Sequence, residues 1–184
     1  MSRILVESPP FPLAVAREIL APYEVHAVRG RLPRDQEAVA YLGWGTVGGA
    51  DMDRLPALRV IATPSVGFDH IDVEAASERG VWVCNVPDYC VDEMADTTIT
   101  LLLAMLRGTV ALERSVRDGD WDDHAAGPLR RIADTKLGII GFGRIGREAA
   151  RRAISLGMQV WATDVAVADG DINAAGVHAA RLDD

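Results

Sequence analysis

Lysine is nearly absent from this 184-residue chain. Lys136 is the only one, and arginine supplies the other basic positions. Basic residues total 19 against 27 acidic ones, a formal charge of −8. A surface so acidic argues against a general nucleic-acid or anionic-membrane binder. Cysteine is scarce too: Cys84 and Cys90 make no disulfide framework, which points to a reduced, cytoplasmic protein. No long hydrophobic run occurs. The best stretch, Ile99 to Leu106, is too short to span a bilayer, and no basic segment followed by an apolar one opens the chain as a signal peptide would. Aromatic residues are few, at 5%, and repeats and low-complexity tracts are missing. The rest is ordinary for a globular chain, with 49% hydrophobic and 25% charged residues, enough for a core without metal or disulfide staples.

Short apolar runs alternate with helical segments. Ile4–Val6, Glu24–Val28, Ala38–Leu42, Leu58–Ala62 and Val81–Cys84 read as strands. Leu13–Leu20, Asp51–Leu55 and the segment from Asp72 to Glu78 read as helices between them. Continuous apolar strands linked by helices predict a parallel sheet buried on both faces. A long helix over 92–112 follows, apolar on all sides in its middle and so expected to be buried between two domains. The polar stretch 114–131 reads as a surface connection anchored by Trp121. From Lys136 a new unit begins: strand 137–140, helix 144–156, strand 158–163, a short helix near 172–175 and a strand at 177–180.

The strongest motif is Gly141-Phe142-Gly143-Arg144-Ile145-Gly146. It follows one strand, opens a helix, and is followed eighteen residues later by Asp164 at the end of the next strand. That context makes it the Rossmann dinucleotide fingerprint. Gly141 permits the tight turn, Gly143 admits a pyrophosphate to the backbone, and Gly146 lets helix and strand pack closely. Free N–H groups at the helix start favour the anion, and Arg144 can add a cation. Asp164 would accept hydrogen bonds from a ribose 2′-hydroxyl and repel a 2′-phosphate, so NAD is favoured over NADP. Arg147, Arg151 and Arg152 read as a solvated helix face.

Three blocks in order resemble the D-isomer-specific 2-hydroxyacid dehydrogenase family. They are Val60-Ile61-Ala62-Thr63-Pro64-Ser65-Val66-Gly67-Phe68-Asp69-His70-Ile71-Asp72, then 80–87 with 91–98, then 135–146 continued by 157–160. The wording at Val66–Asp69 and Ala95–Thr98 is nearest the subgroup that includes the C-terminal-binding-protein corepressors. The resemblance implies an α/β chain: a flavodoxin-like lid domain over 1–90 lacking the family's C-terminal helix, a crossover helix over 91–112, and an incomplete Rossmann domain over 113–184. The family's active site lies in the cleft between the two domains. Family members transfer a hydride between a nicotinamide cofactor and a small 2-oxo or 2-hydroxy acid. By resemblance the Val66 and Gly67 amides would hold the substrate carboxylate, and Thr98 would lie near the dinucleotide. Plainer readings stand beside these: a strand-to-helix turn at Val66–Gly67, and a Thr98 hydroxyl bonded to its own helix.

The family's substrate-anchoring Arg, its paired Glu and its acid/base His all follow the second Rossmann half. One β–α–β unit takes about 30 residues or more, so the 48 residues from Leu137 fit only part of one mononucleotide half, where a full Rossmann sheet needs two. The expectation is therefore no catalytic residue in these 184, and no turnover by them alone. His26, His70, His124 and His178 read as surface residues without metal-ligand spacing, and Cys90 has no neighbour that would lower its pKa. The leading reading is the N-terminal portion of an NAD-dependent oxidoreductase, completed by a longer or complementing chain. Alternatives are a naturally short, non-catalytic NAD(H)-binding, regulatory or assembly module, and a short relative with different chemistry. An unfinished sheet edge favours a homo-oligomer in the latter two.

Overall fold

The structure is a computed structural model that describes residues 2–8 and 11–183. The chain forms two compact units, residues 1–89 and 90–184.

Among the described residues the first unit has five parallel strands and three helices. They are β1 (Arg3–Glu7), α1 (Leu13–Ile19), β2 (Glu24–Val28), β3 (Ala38–Leu42), α2 (Gly49–Met52), β4 (Val60–Ala62), α3 (Val73–Glu78) and β5 (Trp82–Cys84). Strand order is β2-β1-β3-β4-β5, the flavodoxin-like order. The period of two along a strand explains why both faces are apolar. Leu5 and its β3 partner Tyr41 enter one core with Leu55 and Ile61, whereas Ile4 and Val6 enter the other with Val25. Helix α3 starts where the Asp72 carboxylate accepts from the Ala75 N–H at 2.9 Å. At the end of β1, one Glu7 oxygen accepts from the Tyr41 hydroxyl at 3.2 Å and from the Trp44 and Gly45 amides at 2.6 and 3.0 Å. Burial, then the Glu7 charge, pushes the Tyr41 hydroxyl up to about 12.

The second unit contains α4 (Val91–Leu106), α5 (Thr109–Arg117), a 3₁₀ turn (Ile132–Asp134), β6 (Lys136–Ile140), α6 (Arg144–Ser155), β7 (Gln159–Thr163), α7 (Asp169–Ala174) and β8 (His178–Ala179). Its three parallel strands run in the order β6-β7-β8, one mononucleotide half of a Rossmann sheet. Helices α4 and α6 share a core with the sheet through Ile99, Ala150, Ala153, Val160 and Ala162. Leu137 and Ile139 face that core, while Lys136, Gly138 and Ile140 are exposed on the opposite face.

Four expectations about this unit change. The long helix is two helices: Gly108, at φ +59°, turns the chain after Leu106 into the left-handed region that ends helices. The first of them is not buried all round, because Leu101 and Met105 are 66% and 71% exposed while Ala95 and Ile99 are buried. Trp121 is 90% exposed and anchors nothing among the described residues. Arg152 also leaves the solvated face assigned to it. Its guanidinium bonds Asp92 at 2.8 Å, Asp96 at 2.7 Å and Glu148 at 2.7 Å, tying α6 to α4. These carboxylates, Asp92 foremost, hold its pKa above the usual arginine range. Among the described residues no single helix is long and apolar enough to cross a membrane.

Candidate functional site

Each unit presents a loop of backbone N–H groups just beyond the carboxyl end of a parallel strand, where such sheets bind ligands. In the first unit the loop follows β4. Three consecutive carbonyls there are tethered. The Ser65 oxygen accepts from the Val86 N–H at 3.1 Å, the Val66 oxygen from Asn85 Nδ2 at 2.8 Å, and the Gly67 oxygen from Ser65 Oγ at 2.6 Å. In a trans peptide the N–H points opposite the carbonyl. Tethering the oxygens therefore orients the N–H groups of Val66, Gly67 and Phe68. Among the described residues these three have no hydrogen-bond partner. Successive unpaired N–H groups form an anion-receiving concavity. Gly67 is not demanded by its surroundings, since a Cβ there would meet only Asp69 Oδ2 at an ordinary 3.5 Å.

In the second unit the loop joins β6 to α6. Its glycines differ in what they must do. Gly141 has φ +97°, which side-chain-bearing residues rarely adopt. A Cβ on Gly146 would overlap the Gly141 carbonyl oxygen. Gly143 needs neither excuse: its φ is −74°, and a Cβ would meet nothing within 4 Å. The vacant side of Gly143 lies at the start of a twelve-residue helix without a side-chain cap, a terminus whose N–H groups suit an anion. Arg144 is exposed beside it and has no hydrogen-bond or ion-pair partner among the described residues. Thr98 lines a 390 Å³ hollow with Gly141, Ile145 and Gly146, and its hydroxyl donates to the Met94 carbonyl at 2.7 Å.

Phe142 and Asp164 stand apart from the expected pattern. The Phe142 ring is fully buried and the Arg147 guanidinium lies 4.8 Å above it, so its side chain belongs to the core. Its N–H donates to Asp164 Oδ2 at 2.6 Å. Asp164 Oδ1 accepts from the Ala166 and Val167 N–H groups at 2.7 and 3.1 Å. Asp164 thus clamps the glycine loop to the turn after β7, a role the motif alone did not reveal. Those N–H groups, Ala166 and Phe142 first, hold its carboxyl below the ordinary range, and Arg147 adds to the effect. Oδ1 is thus fully used, and Oδ2 keeps a lone pair for a further donor.

Sequence reasoning also passed over Ser65 and Asn85, whose side chains hold the first loop, and left Arg147 on a solvated helix face although it covers the Phe142 ring. The signals were faint: a serine two residues before a glycine, an asparagine closing β5, and an arginine one turn into a helix.

A family model described as D-isomer specific 2-hydroxyacid dehydrogenase, catalytic domain, matches residues 30–179. The chain belongs to this family. Among curated relatives of this dehydrogenase family, a glyoxylate reductase of Thermococcus gammatolerans is 38% identical over 133 residues, covering 69% of this chain and 40% of that protein. A glycerate dehydrogenase of Methylorubrum extorquens is 37% identical over 124 residues, again 40% of its length. A D-lactate dehydrogenase of Aquifex aeolicus, crystallised with NAD and lactic acid, superposes with a TM-score of 0.87 at 25% identity, covering 98% of this chain and 56% of that one. The chain thus spans about two fifths of the curated relatives it matches and little more than half of that solved dehydrogenase.

Proposed function

We propose that these residues form the carboxylate-binding and dinucleotide-binding parts of an NAD-dependent oxidoreductase acting on small 2-oxo and 2-hydroxy acids. In this reading 1–90 is the lid, 91–112 the crossover and 113–184 part of the nucleotide domain. The observation that carries it is the pair of N–H loops, each with a glycine that packing does not require. Val66 and Gly67 receive the substrate carboxylate. Gly141, Gly143, Ile145 and Gly146 form the pyrophosphate turn, Arg144 supplies a cation, and Asp164 accepts from the ribose and disfavours a 2′-phosphate. Thr98 borders the hollow beside the turn. When bound, NADH supplies the hydride that reduces the 2-oxo carbon.

The new hydroxyl also needs a proton. Each histidine already has a partner: His26 has Glu24, His124 has Asp123, His178 stacks 4.9 Å from Trp161, and His70 bonds Thr63. The resemblance puts the family's acid/base His after the second Rossmann half, so the proton donor is assigned to that segment and not to one of these four histidines. The same observation favours a second reading, an NAD(H)-binding module without turnover. The uncovered face of the second sheet, with Ile140, Trp161 and Leu182 around a 520 Å³ hollow, supports packing of a complementing chain or a second copy there. The unpaired Cys84 and Cys90 support a reducing, cytoplasmic setting.

Fluorescence titration of the 184-residue chain with NADH and NADPH tests the dinucleotide reading, with saturable NADH binding and weaker NADPH binding expected. NADH oxidation with glyoxylate or pyruvate is expected to be absent for this chain alone. Turnover by it would overturn the assignment of the proton donor elsewhere.

A further inference from the structure

Behind the Val66–Gly67 loop three side chains are bonded in series. His70 Nε2 lies 3.2 Å from Thr63 Oγ1, Thr63 Oγ1 lies 2.8 Å from Ser65 Oγ, and Ser65 Oγ lies 2.6 Å from the Gly67 carbonyl oxygen. The direction of the series follows from its last member. A carbonyl oxygen only accepts, so the Ser65 hydroxyl hydrogen is committed to Gly67. Ser65 Oγ must then accept from Thr63. With the Thr63 hydrogen committed in turn, its oxygen must accept from an N–H on His70 Nε2. Thr63 is 1% exposed, so solvent does not compete for its hydroxyl. Its own backbone N–H is fixed to the Cys84 carbonyl at 2.8 Å, and the His70 carbonyl accepts from the Val47 N–H at 3.0 Å. Both ends of the series are anchored in the sheet unit.

We propose that His70 is a positioning residue: through Thr63 and Ser65 it fixes the Gly67 carbonyl, and hence the Phe68 N–H, as part of a preformed receptor for a carboxylate. The proposal rests on the carboxylate reading above for its ligand, but not for its geometry. Of the three tethers on the loop, those from Asn85 and Val86 are single bonds from the exit of β5, whereas the Gly67 tether is held from behind by two further residues. An imidazole with its proton on Nε2 completes the series, and an imidazole with its proton on Nδ1 alone breaks it at the first link.

The test uses the ¹⁵N-labelled 184-residue chain, with oxalate as the carboxylate probe. Long-range ¹H–¹⁵N spectra of the His70 ring should show the proton on Nε2; a ring protonated on Nδ1 alone overturns the relay. Oxalate should move the amide signals of Val66, Gly67 and Phe68. Thr63→Val and His70→Leu should weaken oxalate about fivefold, the size of one net hydrogen bond. His70→Gln, which returns an N–H at similar reach, should stay within about twofold of the parent on the same scale. NADH affinity, read on the other unit, should not change in any of them, which a general loss of structure would not allow. Equal oxalate affinity in all variants would falsify the proposal.

Should the parent itself ignore oxalate, the carboxylate reading fails while the relay is still judged. The ligand-free ¹H–¹⁵N heteronuclear Overhauser effects at Gly67 and Phe68 must then fall in Thr63→Val, and unchanged values overturn it. If Thr63→Val does not fold, Ser65→Ala cuts the last link at a partly exposed position and is read in the same two ways.

Discussion

The two loops offer similar chemistry, adjacent N–H groups beyond a parallel strand, but are shaped by opposite means. The loop after β4 is shaped from outside. Ser65, Asn85 and Val86 hold its carbonyls, and no residue in it has positive φ. The loop after β6 is shaped from within, by the positive φ of Gly141 and the contact between Gly146 and Gly141. The difference teaches where each loop is vulnerable. A loop held by separate tethers loses shape in steps, and each substitution has a modest effect. A loop held by its own stereochemistry tolerates nothing at the two glycines that define it.

The sharpest break of that contrast is Gly146→Val. The added side chain drives into the Gly141 backbone, and overpacking of this kind costs about 3 kcal/mol or more. Residues 90–184 should lose cooperative melting, followed by circular dichroism and amide spectra, while residues 1–89 keep their signals. A Gly146→Val variant as stable as the parent would show that the loop is not self-shaped. Gly143→Ala comes next and separates ligand from fold. Nothing lies within 4 Å of the new methyl, so the melting midpoint should hold. NADH affinity should drop about tenfold, or roughly 1.4 kcal/mol. Equal affinity would mean that the space beside Gly143 is not the dinucleotide's.

Much of this contrast was legible in the chain order. The continuous apolar strands predicted both sheets, and the β-loop-α-β-Asp pattern placed Gly141, Gly143 and Gly146 because each acts within a few residues of itself. What escaped depends on distant partners. Arg152 reads as a surface residue until Asp92 and Asp96, some sixty positions earlier, arrive beside it. Asn85 reads as a strand end until it meets Val66. The expected long helix failed for a local reason that was present but underweighted: Gly108 follows a run whose hydrophobic continuity masks the stop. Asp164 was legible as the acid of the motif but not as a clamp, since its N–H donors are named only by the fold.

That clamp gives the second loop one tether of the kind the first loop uses, and acid should expose it. The Asp164 carboxyl sits below its ordinary 3.8 because the N–H groups of Ala166, Phe142 and Val167 favour its charged form. The unfolded chain therefore takes up this proton before the folded chain does. Stability from the clamp is whole above the ordinary carboxylate range and is lost as pH falls below it. The Phe142 and Ala166 amide shifts should titrate together with a midpoint under 3.8, and Asp164→Asn should abolish that step. A shared midpoint above 3.8 would break the assignment.

The smallest effect belongs to Gly67→Ala, and it sharpens the comparison most finely. The new methyl would make only an ordinary 3.5 Å contact with Asp69 Oδ2, and Gly67 does not use the left-handed region. Removing a glycine also restricts the unfolded chain, so folding should be unchanged or strengthened by up to about 1 kcal/mol. Oxalate should nonetheless bind about threefold more weakly, because a methyl beside the Gly67 N–H narrows the approach of a carboxylate and holds Asp69 close to it. The same exchange at Gly141 should destabilise, since its φ of +97° strains any side chain. Thermal melts of the two alanine variants, run side by side, should part, the midpoint falling for Gly141→Ala and holding or rising for Gly67→Ala; a fall in both would erase the distinction between a loop held by tethers and a loop held by its glycines.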